Sequence, residues 1–111
     1  MSKFFVVDNR LQLTNDDTAA LDEKQLAELF GENLREIRSH CNLSLKTLSD
    51  MTKVPNQTLS SYENKTHVPS MIQAIKIAAF FDLTVEEFIL CGLDSFPYDV
   101  VELYERRKQG L

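Results

Sequence analysis

The sequence predicts an all-α protein: five closely jointed helices in one domain, with a short N-terminal arm or hairpin before them and an extra helix after them. Three observations predict it. Leu26, Phe30, Leu34, Ile37 and Cys41 recur at steps of three and four residues, the spacing of one buried helix face. Residues that cap helix starts, Asp22, Ser44, Ser70 and Thr84, stand just before four apolar stretches. The joints between these stretches are roughly two to six residues, normal for packed helices. The boundaries that follow are 1–20 for the arm, 21–92 for the domain and 93–111 for the C-terminal helix.

In chain order, Lys3 to Val7 is a β-prone run that Leu11 to Leu13 can rejoin across Asp8-Asn9-Arg10, as a small hairpin or as a loose arm. Asn15 to Thr18 reads as a turn. Asp22 with Gln25 has the reciprocal capping pattern, and Leu21 with Leu26 the apolar staple that goes with it. The long helix so opened ends near His40 to Asn42. Ser44 caps a helix carrying Leu45, Leu48, Met51 and Thr52. Lys53-Val54-Pro55 interrupts it, and Pro55 suits the first turn of a new helix, where its missing amide hydrogen costs nothing. That helix runs through Leu59 and Tyr62 and stops at Asn64-Lys65-Thr66. Ser70 with Gln73 makes a second capping box before Ile75, Ala78, Ala79 and Phe81, and Thr84 with Glu87 a third before Phe88, Ile89 and Leu90. The tail from Ser95 to Leu111 is a sixth helix with Pro97 near its start. Its stripe of Phe96, Val100, Leu103 and Tyr104 either packs on its own domain or forms a dimer seam.

Composition narrows the class of function. The chain has 111 residues, 43% hydrophobic and 26% charged, which is ordinary for a folded soluble domain. No apolar run approaches the ~20 residues of a membrane span, and the start MSKFFVVDNR is too short in apolar residues for an export signal. The expected compartment is the cytoplasm, with Cys41 and Cys91 as reduced, packed thiols. The net charge of −5 is unevenly spread. Residues 1–34 carry three basic and seven acidic groups, and residues 68–111 carry four and seven. Residues 35–67 reverse the sign, with five basic groups against three acidic ones. A mildly basic middle between acidic flanks suits DNA binding with weak non-specific affinity, because few cations are present to neutralise phosphates.

Ser44 to Asn64 carries the chemistry. Two short helices joined by a three-to-four-residue turn are the unit that places its second helix in the major groove. Such a unit needs a small residue where the helices cross, and Ser49 stands there. It needs apolar positions to lock the crossing, met by Leu48, Val54, Leu59 and Tyr62. Its outward positions need short or amide-bearing side chains that reach base edges, and Asn56, Gln57, Thr58, Ser60 and Ser61 are of that kind.

From Phe30 to Leu90, about 60 of the 111 residues, the chain resembles the Cro/C1-type helix-turn-helix family, also called the XRE family. The resemblance lies in Leu34 to Arg38, Leu43-Ser44, Leu48-Ser49, Val54 to Ser60, Tyr62 to Asn64, Pro69-Ser70, Ile77-Ala78 and Phe81 to Phe88. It implies a lambda-repressor-like, five-helix domain that binds double-stranded operator DNA, commonly as a homodimer, and regulates transcription, most often by repression. Carried over position by position, Asn56, Gln57 and Ser61 would read bases, with Thr58 or Ser60 touching a thymine methyl or backbone oxygen. Phosphate contacts would come from Ser44, Lys46, Asn64, Thr66 and His67. Three departures stand out: Leu45 in place of a polar supporting residue, and Lys53 and Lys65 in place of turn glycines. At the second of these lysines, Asn64 would take the left-handed cap.

Other classes of function find little support. His40 and His67 lie apart, with no cysteine or carboxylate at ligand spacing, so no metal or other cofactor is expected. No nucleophile-and-base set or glycine-rich phosphate loop is present, so an enzyme and a small-molecule substrate are not expected either. Glu63 reads as a brace to Arg38 or Arg35 rather than a catalytic acid. The rival class is a protein-binding module, an antitoxin or adaptor acting through its acidic extensions.

Overall fold

The computed structural model describes residues 5–7, 10–12, 21–91, 96 and 99–109. It is an all-helical domain with a small N-terminal hairpin. Strand β1 (Phe5–Val7) pairs antiparallel with β2 (Arg10–Gln12), Phe5 opposite Gln12 and Val7 opposite Arg10. The helices are α1 (Glu23–His40), α2 (Leu45–Thr52), α3 (Asn56–Glu63), α4 (Met71–Phe80), α5 (Val85–Leu90) and α6 (Val100–Lys108). The turn expected at Asn15 to Thr18, and Ser95 and Pro97 at the expected start of the last helix, lie outside the described residues.

Helix α1 is the spine. Its inner face is Ala27, Phe30, Gly31, Leu34 and Ile37, continued by Cys41. The stripe therefore starts one residue later than the periodicity from Leu26 suggests, and Leu26 is half-buried. Phe30 meets Tyr62 of α3 edge-on at 5.7 Å and Phe88 of α5 at 4.9 Å between ring centres, so one side chain joins three helices. Leu48, Leu59 and Ile77 complete a core closed to water, each fully buried aliphatic side chain stabilising by about 1.5–3 kcal/mol. Asn33 of α1 donates to the carbonyls of Phe88 and Ile89 at 2.7 and 3.0 Å. It satisfies the last carbonyls of α5, which have no partner within their own helix.

The starts of α1, α2, α4 and α5 follow the sequence, but of the three reciprocal boxes expected at Asp22, Ser70 and Thr84 only the last is complete. Asp22, Ser44, Ser70 and Thr84 each accept from the backbone amide three residues on, and at Thr84 the Glu87 side chain reciprocates. The expected box at Ser70 is only half made, because the Gln73 side chain turns away to accept from the Tyr62 hydroxyl. The helix ends use a left-handed residue that is not glycine: Asn42, Lys53, Lys65 and Asp82, with φ between 56° and 63°. At three of them, Leu43 N–H donates to Arg38, Thr66 N–H to Ser61 and Leu83 N–H to Ala78, all at 3.0–3.1 Å, the six-residue closure that stops a helix sharply. Asn and Asp tolerate this conformation, while a lysine there costs roughly 1–2 kcal/mol. Contrary to the expectation at the end of α3, Lys65 takes the left-handed position and Asn64 stays helical at φ −80°.

Helix α6 folds back onto its own domain. It starts at Asp99, which accepts from the Glu102 amide at 3.0 Å. Val100 enters the core, and Phe96, Val101 and Tyr104 pack against it, Tyr104 lying 5.9 Å from the Phe80 ring. Arg107 donates to the Phe80 carbonyl at 3.2 Å and pairs with Asp82, closing the end of α4. Of the C-terminal stripe, Phe96, Val100 and Tyr104 pack on their own domain, while Leu103 is not among the side chains packed against the core. Helix α4 also differs from expectation: Ala74, Ile77 and Ala78 face inward, while Ile75 is 49% exposed and Ala79 lies on the surface.

Both cysteines are free and buried. Burial pushes the Cys41 thiol up to about 11, with the charges of Glu105 and Asp99 adding to it, and burial also raises Cys91. Two results are expected. Native protein at neutral pH should take up no iodoacetamide until it is unfolded. A folded thiol that ionises later than the unfolded one stabilises fully at neutral pH, and that contribution is lost as pH rises through the folded value. Urea midpoints should thus hold level across neutral pH and fall between about pH 9 and 11. The raised Tyr62 and Tyr104 hydroxyls, held up first by burial, act with the same sign.

Candidate nucleic-acid interface

Helices α2 and α3 and the turn between them form a unit whose joint is fixed by short polar side chains. Ser49 donates from its hydroxyl to the Val54 carbonyl at 2.6 Å. Thr52, itself buried, donates to the Leu48 carbonyl at 2.7 Å and accepts from the Val54 amide at 3.4 Å. A larger residue at 49 would fill the crossing and remove the hydrogen bond that ties the two helices. Pro55 sits at the cap of α3 in extended conformation, one residue before the helix it was expected to begin, and offers no side-chain oxygen to the first amides. The first amides of α3 therefore have no side-chain cap, and uncapped amides at a helix start are donors that an anion can satisfy.

Helix α3 turns three residues inward: Leu59, Tyr62 and Glu63. At about 100° per residue, Gln57, Ser61 and Asn64 fall on the opposite side, flanked by Thr58 and Ser60. Asn56, Gln57 and Asn64 are exposed, while Thr58, Ser60 and Ser61 are half-buried. The Ser61 hydroxyl donates to the Gln57 carbonyl at 3.0 Å, so a direct base contact by Ser61 requires that bond to be shared or exchanged. Thr58 and Ser61 line a shallow groove of about 340 Å³ with His67, Val68 and Gln73.

The expected phosphate contacts separate into two sets. Asn64 and His67 are both exposed just past the end of α3. Thr66 between them is committed, donating to the Ser61 carbonyl at 3.1 Å with its hydroxyl 3.1 Å from His67 Nδ1. Ser44 is likewise occupied, accepting from the Thr47 amide at 3.0 Å and donating to Thr47 Oγ1 at 2.9 Å. Lys46 is exposed in the first turn of α2.

Two fixtures set where α3 stands. Glu63 is 5% exposed and receives both Arg38 Nε at 2.6 Å and Arg38 Nη2 at 3.0 Å, while Arg38 Nη1 donates to the Leu43 carbonyl at 2.8 Å. The hydrogen bond to Glu63 raises the already high Arg38 value further, so the guanidinium stays charged throughout. Arg35, largely exposed, stands 3.9 Å from the same carboxylate. The second fixture is Gly31 of α1, where an added Cβ would lie 2.1 Å from the Tyr62 carbonyl oxygen. The two helices can approach this closely only because no side chain intervenes. Composition could not single out Gly31, though its place on the apolar stripe was a usable signal. Among the described residues no His, Cys, Asp and Glu side chains converge as a metal site, and no helix is long and apolar enough to cross a membrane.

A family model described as helix-turn-helix matches residues 34–88, about half of the chain. No curated protein and no solved structure matches the chain.

Proposed function

The chain belongs to the helix-turn-helix family of Cro/C1 type through residues 34–88, and from that premise we propose a cytoplasmic, homodimeric repressor that reads operator DNA in the major groove with α3. The observation that supports this most directly is the division of labour along α3. Leu59, Tyr62 and Glu63 anchor it, and the remaining face carries amides and hydroxyls. Gln57 is the principal reader. Its amide can donate to N7 of adenine and accept from the N6 amino group as a matched pair, a contact worth ~1–3 kcal/mol of discrimination. Asn56 reads beside it, and Thr58, Ser60 and Ser61 contribute methyl or hydroxyl contacts. Ser44, Lys46, Asn64, Thr66 and His67 fix register on the backbone rather than sequence, with Ser44 and Thr66 able to do so only through hydroxyls already engaged in caps. Two copies would set their reading helices in successive major grooves about 34 Å apart.

Sites selected from random duplex DNA supply the test. Gln57→Ala should weaken binding to the selected operator by roughly 10- to 100-fold and flatten preference at one base pair per half-site, with the helical circular dichroism unchanged. Equal affinity and equal base preference in that variant would remove Gln57 from the readout. Placing the operator over a promoter in a reporter strain checks the direction of regulation: lower output on expression of the protein is the expected result.

A further inference from the structure

Five large apolar side chains are exposed among the described residues; one, Met51, is on α2 at 54%, and the other four gather on or beside a single element. Met71 is 74% exposed, Ile72 67% and Ile75 49%, all on the outer face of α4, with Val68 at 37% just before it. Ala79 lies on the same face two turns on from Met71. Together these residues make one apolar face on the surface of α4, and the largest such patch on a monomer is often a functional one. We infer that this face is where two copies of the chain associate, α4 against α4 across a two-fold axis near Ile75.

Three features favour a second copy as the occupant. A two-fold interface must be complementary to itself, and an antiparallel pair centred on Ile75 sets Met71 of each copy against the small Ala79 of the other. Charge points the same way: the chain carries a net −5, so most approaches of two copies bring acid to acid, whereas this face holds a single charge, Lys76, at its rim. Its ammonium can extend into water while the stem lies along the apolar surface. Position is the third. Val68 borders the groove that Thr58 and Ser61 line, and Tyr62 of α3 is hydrogen-bonded to Gln73 of α4, so association here would hold both reading helices in a fixed relation. The orientation, though not the association itself, rests on the operator-reading role proposed above.

Sedimentation equilibrium of the full chain is the primary test. Ile72→Glu with Ile75→Glu, both at exposed positions, should weaken self-association by at least ~30-fold and leave thermal unfolding of the monomer intact. Ile75→Cys, close to the axis, should give a disulfide-linked dimer on mild oxidation, while wild-type protein with Cys41 and Cys91 buried gives none. A double variant that still dimerises like wild type would overturn the assignment. So would wild-type protein that stays monomeric to about 100 µM, a weak-interface limit, together with an Ile75→Cys variant that yields no cross-link. Loss of association in the double variant without DNA binding by either protein would sustain the surface and remove the operator role.

Discussion

Replacing Glu63 with alanine is expected to destabilise the fold by about 3 kcal/mol, the lower end for breaking a buried ion pair, because Arg38 keeps some access to water. The carboxylate is nearly closed to solvent and takes two hydrogen bonds from one guanidinium. Without it, Arg38 retains only the Leu43 carbonyl as a partner beside desolvated charge. Arg35 adds little, since an exposed pair at 3.9 Å contributes well under about 1 kcal/mol. The companion Arg38→Met with Glu63→Met should recover most of the loss, since apolar isosteres often equal or exceed a buried pair. Urea denaturation of Glu63→Met, Arg38→Met and the double variant closes the cycle. A double variant no more stable than Glu63→Met would mean that the pair itself, rather than the relief of an orphaned charge, holds α1 to α3.

Gly31→Ala should be the second large effect, and its sign runs against helix propensity. On propensity alone an alanine within α1 would stabilise by roughly 0.5–1 kcal/mol. Here the new methyl would stand 2.1 Å from the backbone oxygen of Tyr62, and backbone cannot rotate aside as a side chain can. Overpacking of this kind costs typically about 1–3 kcal/mol, and more when the neighbour is rigid. A net loss of about 2–3 kcal/mol in thermal or urea unfolding is expected, accompanied by a weaker operator complex because α3 must move. An increase in stability would show that α3 can step back from α1 without cost.

Much of the fold was legible because its signals are local. A capping residue before an apolar run states where a helix begins, and Asp22, Ser44, Ser70 and Thr84 all do so. The short joint at Lys53 to Pro55 and the inward positions Leu48, Val54, Leu59 and Tyr62 likewise follow from chemistry within a few residues. What the sequence could not settle is tertiary. Helix α4 is apolar nearly all round, Met-Ile-Gln-Ala-Ile-Lys-Ile-Ala-Ala-Phe, so periodicity gives no preferred face, and Ile75, expected inside, lies outside. Gln73 fits the capping pattern, yet a hydroxyl on another helix claims its side chain. Asn64 is the better left-handed former than Lys65, but the closing hydrogen bonds from Lys65 and Thr66 to α3 fix the register of the stop. The C-terminal stripe suited two partners equally well in sequence, and that Val100 packs inside its own domain depends on contacts far along the chain.

The inward set of α3, Leu59, Tyr62 and Glu63, leaves Asn56 and Gln57 free of any packing duty. Mutational drift at these two positions should therefore be nearly silent for folding, since exposed substitutions usually change stability by less than about 0.5 kcal/mol. Selection can revise the recognised sequence one letter at a time while the scaffold stays within its stability margin. Duplicated copies of such a gene could part company in target before they differ detectably in architecture.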